Sequence, residues 1–159
     1  MSPTVDFWIA GAQKAGTTTL FDILAEHPDA FVPRAKEIHY FSSDEFHPQG
    51  PSYLDPFYAD APEAALLGGA YVHTMFFPES AARMHAHNPA MKVLAVLRNP
   101  IDRAYSAFWF ARRNGWEPAE TFEEALALEP TRAEGTLTER TELTYVRHGY
   151  YAEQLAVFA

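Results

Sequence analysis

Short apolar segments alternate along the chain with glycine-containing loops and with stretches of helical periodicity. Residues 5–10 (VDFWIA) are aromatic and β-branched and precede Gly11, which is typical of a short buried strand. Residues 17–26 then predict a helix that ends at His27-Pro28, because the residue before a proline disfavours helical backbone. One face of this helix is expected to carry Leu20, Ile23 and Leu24, with Phe21 beside them.

A second unit of the same kind lies in the middle of the chain. Residues 92–97 (KVLAVL) predict another buried strand, and Asn99 and Pro100 fit the N-cap and the first turn of a helix. Because both strands are apolar throughout, they indicate a parallel sheet covered by helices on both faces, and the fold class is α/β. The buried face of the second helix is predicted to hold Ile101, Ala104, Tyr105 and Phe108.

The remaining elements are predicted from caps, composition and periodicity. Residues 28–62 are rich in proline, aspartate, serine and aromatics, which indicates irregular structure with one short strand or turn around residues 38–41. Three further helices are expected. One covers residues 79–87, one begins at the capping box of residues 121–124 and runs through Leu128, and one begins at about Tyr150. The aromatic run at residues 108–110 is expected in the core. The 159 residues suffice for a single domain, 1–159.

Composition narrows the cellular setting and the kinds of partner. The chain has no cysteine, which excludes disulfides, thiolate zinc sites, cysteine nucleophiles and cysteine-held iron–sulfur clusters. No apolar run reaches the about 18 residues of a transmembrane helix, and the N-terminus lacks the basic segment of a signal peptide. We therefore expect a cytoplasmic setting without a membrane partner. His85 and His87 do not share a helix face, and we expect no metal.

Positive charge is concentrated in one part of this acidic chain. The net charge of −9 argues against a nucleic-acid partner. Residues 92–113 hold five cations and one aspartate, a local balance of +4, whereas residues 114–159 hold nine carboxylates and three arginines, a balance of −6. Such a basic segment indicates either a site for a small anion or a solvated helix face that is rich in arginine.

The loop between the first strand and the first helix has the composition of a phosphate site. Gly11 and Gly16 have the spacing of the GxxxxGK[ST] nucleotide loop, but Thr17 occupies its lysine position. A lysine is present three residues earlier, at Lys14, and Arg98 ends the second strand where a carboxylate would hold Mg²⁺. The pattern predicts a phosphate site that supplies its own cation. The alternative is a structural glycine turn.

A second anion site is predicted where Arg98 ends its strand and Ser106 follows eight residues later in the next helix. Together, GAQKAGTTTL and LRNPIDRAYSAF resemble the sulfotransferases that use 3′-phosphoadenylyl sulfate (PAPS). In that family the first motif binds the 5′-phosphosulfate and the second binds the 3′-phosphate. The resemblance implies a P-loop-like three-layer fold and the following PAPS-binding residues: Lys14, Ala15, Gly16, Thr17, Thr18, Thr19, Arg98 and Ser106.

A third segment is similar to the branch that includes heparan-type carbohydrate sulfotransferases. Residues 36–41 (KEIHYF) resemble its KExHFF-like sequence, in which the glutamate is the catalytic base. The resemblance implies that Glu37 deprotonates the acceptor, that His39 supports it, and that Lys14 stabilises the leaving phosphate. Many relatives carry an acidic–Lys–(Ser/Thr)–Pro stretch where this chain has residues 69–72. Here His73 either replaces the missing lysine or is an ordinary loop histidine.

The resemblance predicts transfer of a sulfuryl group from PAPS, as cosubstrate and without a metal, to a hydroxyl or amine of a small molecule or glycan. Two alternatives remain open: a P-loop kinase or nucleotide hydrolase, and a truncated non-catalytic fragment that binds adenosine 3′,5′-bisphosphate. The last predicted helix reaches residue 159 without a cap, and domains of the resembled family are longer. We therefore expect the chain to be the N-terminal portion of such a domain, of unknown oligomeric state.

Overall fold

β1 (Phe7–Gly11) is the central strand of the structure, and all five of its residues are buried. The computed structural model describes residues 2–159. β1 pairs in parallel with β3 (Leu66–Ala70) on one side and with β4 (Lys92–Ala95) on the other, and β2 (Ala30–Phe31) pairs in parallel with β3. The sheet order is β2-β3-β1-β4, which confirms the predicted α/β class with a parallel sheet.

Helices follow the strands largely where caps predict them. Asn99 caps α3 (Pro100–Arg113) by accepting from the N–H groups of Ile101 and Asp102, and Thr121 and Glu124 form the predicted capping box of α4 (Phe122–Arg132). In the part of the chain that the structure describes, no helix is long and apolar enough to cross a membrane. The helices are α1 (Thr17–Ala25), α2 (Glu79–His87), α3 (Pro100–Arg113), α4 (Phe122–Arg132), α5 (Leu137–Glu142) and α6 (Tyr151–Ala156).

β3 is a strand that the sequence pattern does not reveal, because LLGGA has two glycines and no β-branched residue. Packing requires these glycines. A Cβ atom at Gly68 would lie 2.0 Å from the ring of Phe7, and a Cβ atom at Gly69 would lie 2.3 Å from the ring of Trp8. The large side chains of β1 therefore lie directly against the backbone of β3.

β4 is only partly buried, so the prediction that it is a buried strand is wrong. It is the edge strand on its side of the sheet, and Lys92 and Ala95 are exposed. Leu97, just beyond the strand, is exposed as well. An apolar run of this length fits an edge strand as well as a central one, and only the neighbouring strands decide between them.

The predicted buried face of α3 is confirmed at Ala104 and Phe108 and is wrong at Ile101 and Tyr105, which are 74% and 50% exposed. The buried side also contains Arg103, whose guanidinium donates a hydrogen bond to a backbone carbonyl in the chain after α5. Hydrophobic periodicity could not predict that a charged side chain belongs to this face.

Two smaller expectations about apolar residues change in the same way. In α1, Phe21 is buried and Ile23 is exposed. In the aromatic run of α3, Phe108 is buried as predicted, but Trp109 is half exposed. Phe110 is only partly buried and lies beside a cleft described below.

Trp8 contacts the irregular segments that precede and follow β3. Its indole N–H donates to the Thr74 hydroxyl over 2.9 Å, and its ring packs edge-to-face against Phe41 with centroids 4.8 Å apart. Residues 38–41 do not form a strand: Glu37 makes a single parallel bridge to Ala70, and a 3-10 turn follows at Tyr40–Ser42. The bridge places Glu37 at the carboxyl end of β3.

A buried cluster of charges joins α4 to the chain on either side of it. Arg132 donates to both carboxylate oxygens of Glu117 over 2.6 and 2.7 Å, and the Tyr145 hydroxyl donates to the same carboxylate over 2.6 Å. Burial acts to raise the pKa of Glu117, but the hydrogen bonds from Arg132, Tyr145 and a backbone N–H outweigh it and lower that pKa. Glu129 accepts three further backbone N–H bonds, from residues 145–147.

We expect Arg132→Met to destabilise the fold strongly, because it leaves the Glu117 carboxylate buried without its cation. The loss in the free energy of unfolding should be about 3–5 kcal/mol, measured by urea denaturation followed by circular dichroism. Arg34 is exposed, and Arg34→Met should change that free energy by about 0.5 kcal/mol or less. Equal effects of the two substitutions would contradict the role given to the buried pair.

Candidate active site

The carboxyl ends of three parallel strands meet beside one cleft. β1 leads into the loop of residues 11–16, β3 into residues 71–73, and β4 towards Arg98. Together with parts of α3 and α5, these segments line a cleft of about 790 Å³. Ligands of open parallel sheets bind at this edge, and the cleft is therefore the candidate active site.

The loop after β1 presents backbone N–H groups at the start of α1. Gly16 is the N-cap and has a φ of 105°, which a residue with a Cβ atom rarely adopts, although such an atom would meet only open space. The first helical hydrogen bond runs from the Leu20 N–H to the Gly16 carbonyl, so the N–H groups of Thr17, Thr18 and Thr19 precede the helical ladder. This arrangement favours a bound anion.

Three cationic side chains converge on the same loop. Arg98 donates to the backbone carbonyl of Lys14 over 3.3 Å, and Lys36 donates to the Thr17 hydroxyl over 3.4 Å. The Lys14 ammonium lies 4.2 Å from the centre of the Phe110 ring. Burial lowers the pKa of Lys14, and the charges of neighbouring arginines and Lys36 lower it further. A bound anion would relieve this repulsion between like charges.

Glu37 lies at the other side of Lys36. One carboxylate oxygen of Glu37 pairs with the Lys36 ammonium over 3.0 Å, and the other accepts the backbone N–H of Val72 over 3.0 Å. Its side chain remains 40% exposed. The carboxylate is thus held in one orientation by two donors and keeps access to the cleft.

His39 lies beside this carboxylate and between two aromatic rings. Its ring centroid is 4.2 Å from that of Tyr71 and 6.5 Å from that of Phe46. Burial lowers the pKa of His39, and the opposing charge of Glu37 is a smaller effect. His39 is therefore a neutral ring near pH 7, which donates a hydrogen bond from one ring nitrogen and accepts one at the other.

Eight of the ten residues predicted from the sequence line the cleft. Ala15 and Thr19 do not: the Ala15 N–H closes the loop by donating to the Ala12 carbonyl over 3.1 Å, and the Thr19 side chain is exposed on α1. Among residues 2–159, no group of three or more histidine, aspartate and glutamate side chains is placed to hold a metal ion. The residues brought together are Lys14, Gly16, Thr17, Thr18, Glu37, His39, Arg98 and Ser106.

Sequence reasoning missed the wall of the cleft that α5 contributes. Glu142 ends this helix and accepts a hydrogen bond from Gln13, while His73 is paired with the same carboxylate. A capping box at Thr136 and Glu139 begins α5 and could have revealed the helix, but no local signal places it over the phosphate loop. The other lining residues that the sequence did not indicate include Tyr71, Phe110, Trp116, Leu137 and Thr141.

Comparison with known proteins agrees with the motifs at this cleft. Residues 4–155 match the family model of the sulfotransferase domain. The chain belongs to the sulfotransferase family. A solved sulfotransferase from Alicyclobacillus acidocaldarius has the same fold, with a TM-score of 0.86 and 31% sequence identity, over 98% of this chain and 68% of that one.

The curated relatives of this sulfotransferase chain are considerably longer than it is. It is 30% identical over 152 residues to the mouse heparan sulfate glucosamine 3-O-sulfotransferase 5, a match that covers 92% of this chain and 42% of that protein. It is 32% identical over 118 residues to the human bifunctional heparan sulfate N-deacetylase/N-sulfotransferase 2, covering 69% of this chain and 13% of that protein. The chain thus spans less than half the length of either relative.

Sulfotransferases of this family generally use PAPS as the sulfate donor. The hydrogen-bond donors that line the cleft fit such a ligand. The N–H groups at the start of α1, the Lys14 ammonium, the Arg98 guanidinium and the Ser106 hydroxyl can all donate hydrogen bonds. A phosphate-bearing nucleotide offers the matching acceptors. The cleft is therefore suited to an anionic ligand.

We expect Gly16→Ala to weaken anion binding through the backbone alone. The positive φ should cost about 1–2 kcal/mol in folding stability, and misdirected N–H groups should weaken the affinity for adenosine 3′,5′-bisphosphate about tenfold or more, as measured by calorimetry. Gly50 also has a positive φ and open space around its Cβ position, but it lies outside the cleft. Gly50→Ala should therefore cost similar stability and leave the affinity unchanged, and parallel losses of affinity would contradict the proposed loop geometry.

Proposed function

We propose that this chain is a PAPS-dependent sulfotransferase domain that transfers a sulfuryl group to a hydroxyl or amine of a small molecule or glycan. The observation that carries the proposal is that one cleft is lined by Lys14 in the loop after β1, by Arg98 and Ser106, and by the carboxylate of Glu37. The family match and the heparan sulfate sulfotransferase relatives support it.

The donor would be held at two points of the cleft. The N–H groups of Thr17 and Thr18, together with Lys14, would bind the 5′-phosphosulfate. Arg98 and Ser106 would bind the 3′-phosphate, with the guanidinium already directed towards the loop by its bond to the Lys14 carbonyl. PAPS would supply a sulfuryl group that is already activated by its bond to a phosphate leaving group, and the reaction requires no other activated group.

The chain's residues would then move one proton and neutralise one charge. Glu37 accepts the proton of the acceptor hydroxyl or amine, while a bond forms between the acceptor atom and sulfur and the bond from sulfur to the phosphate oxygen breaks. Lys14 stabilises the negative charge that develops on that phosphate oxygen. Neutral His39, between Tyr71 and Phe46, would orient the acceptor beside Glu37.

The kinase or nucleotide-hydrolase alternative is not favoured by this site. Thr17 stands at the lysine position of the GxxxxGK[ST] loop, and Arg98 follows β4 where a Mg²⁺-binding carboxylate would be needed. The other alternative, a non-catalytic fragment that only binds adenosine 3′,5′-bisphosphate, becomes an outcome of the first experiment below.

The first experiment measures binding and transfer in the absence of metal. Calorimetry in EDTA should detect adenosine 3′,5′-bisphosphate binding, and labelled PAPS should pass its sulfate to an acceptor. Lys14→Ala should reduce the transfer rate on the order of 10²–10³-fold, whereas Lys92→Ala, at the exposed start of β4, should not. Binding without transfer would leave only the non-catalytic fragment, and binding of ATP that requires magnesium would favour the kinase.

The second experiment tests the base. Glu37→Gln keeps an acceptor for the Val72 N–H but cannot take a proton, so kcat should fall about 10²–10⁴-fold while the affinity for adenosine 3′,5′-bisphosphate changes little. Exposed Glu45 serves as the control, and a Glu45→Gln variant that loses as much activity would refute the assignment.

A further inference from the structure

Glu142 presents a fixed carboxylate to the cleft that the proposed mechanism does not use. One of its oxygens accepts a hydrogen bond from the Gln13 amide over 2.6 Å, and the other lies 3.0 Å from Nε2 of His73. The Glu142 side chain is 21% exposed, whereas that of His73 is 2% exposed and lies behind it. A ligand in the cleft therefore meets the carboxylate oxygens before it meets the imidazole.

A buried chain of hydrogen bonds fixes the orientation of the His73 ring. The Thr144 hydroxyl donates its one proton to the Arg140 carbonyl over 2.5 Å, so Nδ1 of His148 must donate to the Thr144 oxygen. Complete burial lowers the pKa of His148 well below its ordinary value, and its Nε2 is then an acceptor. His73 lies 3.1 Å away and must donate to it from Nδ1.

Gln13 and His73 hold the Glu142 carboxylate from its two sides, and the imidazole lies behind it. The oxygens of the carboxylate are therefore the polar atoms that this pair presents to the cleft, and their remaining lone pairs can accept hydrogen bonds from a ligand. Hydroxyl and ammonium groups can bind such lone pairs, whereas carboxylate and sulfate groups are repelled by them.

Glu142 also lies in the part of the cleft where an acceptor would react. The Tyr71 ring lies between Glu37 and Glu142: its centroid is 4.2 Å from that of His39, beside Glu37, and 5.4 Å from that of His73, which is paired with Glu142. Lys36 pairs with Glu37, whereas none of the lysines and arginines that line the cleft in the described residues forms an ion pair with Glu142.

We propose that Glu142 is a specificity-determining residue of the acceptor site, which selects acceptors with uncharged or cationic polar groups and disfavours polyanionic glycans. This inference rests on the proposed function. The neighbouring wall fits the ring of such an acceptor, because Phe110 and Trp116 pack edge-to-face with centroids 5.6 Å apart and both line the cleft.

A matched set of aryl glycosides tests the proposal without a known natural acceptor. The probes are 4-nitrophenyl β-D-glucoside, its 2-amino-2-deoxy analogue, its glucuronide, and a heparosan oligosaccharide, titrated into the complex of the full chain with adenosine 3′,5′-bisphosphate. The glucoside and the amino analogue should bind about tenfold or more tightly than the glucuronide and the heparosan. With PAPS, kcat/KM should follow the same order.

Substitutions at position 142 separate charge from structure. Glu142→Gln should reduce the preference for glucoside over glucuronide to about threefold or less, mainly through KM for the glucuronide, while Glu142→Asp should retain most of it. Glu123 lies on the exposed first turn of α4, and Glu123→Gln should leave the preference unchanged. The affinity for adenosine 3′,5′-bisphosphate reports whether the phosphate loop stays intact in each variant.

The outcomes distinguish the inference from the function on which it rests. If the bisphosphate does not bind, the proposed function fails and the inference falls with it. If it binds but the glucuronide or heparosan is preferred, if none of the glycosides binds, or if Glu142→Gln keeps the full preference, the role of Glu142 is overturned and the sulfotransferase proposal stands.

Discussion

The contact of Phe7 and Trp8 with the glycine backbone of β3 determines where the segments of the candidate active site meet. Without Cβ atoms at Gly68 and Gly69, β3 can lie beside β1 while the two large rings cover it. The residues that follow β3 therefore lie next to the phosphate loop that follows β1. A side chain added at Gly68 or Gly69 would clash with these rings, so β3 and β1 could not keep their present spacing.

The elements that the sequence predicts correctly depend on nearby residues. The loop before α1, the Asn99 cap of α3 and the capping box of α4 each follow from a few consecutive positions. The same is true of the motif residues that line the cleft, because a strand end, a tight loop and a helix start fix their directions locally. Glu37 was predictable as a residue only through resemblance to a family, since its bridge to Ala70 is a tertiary contact.

The remainder of the site depends on contacts between distant parts of the chain. Gln13 and Glu142 are hydrogen-bonded although 129 positions separate them, and His73 and His148 meet across 75 positions. Neither pair leaves a local pattern, and no periodicity indicates that α5 lies over the loop. The orientation of α3 is only partly local for the same reason, because the buried Arg103 bonds to Tyr145 beside the apolar residues of that face.

The position of Lys36 joins two events that are usually described separately. Its ammonium contacts the Thr17 hydroxyl at the start of α1 and also the carboxylate of Glu37. One cation therefore lies between the N–H groups that could hold an anion and the carboxylate that we propose as the base. An anion bound at the helix start would compete with Glu37 for this ammonium, and by thermodynamic linkage the Lys36–Glu37 contact would weaken the binding of that anion by the same factor. Binding of the proposed donor and the hydrogen bonds of the proposed base would thus be coupled.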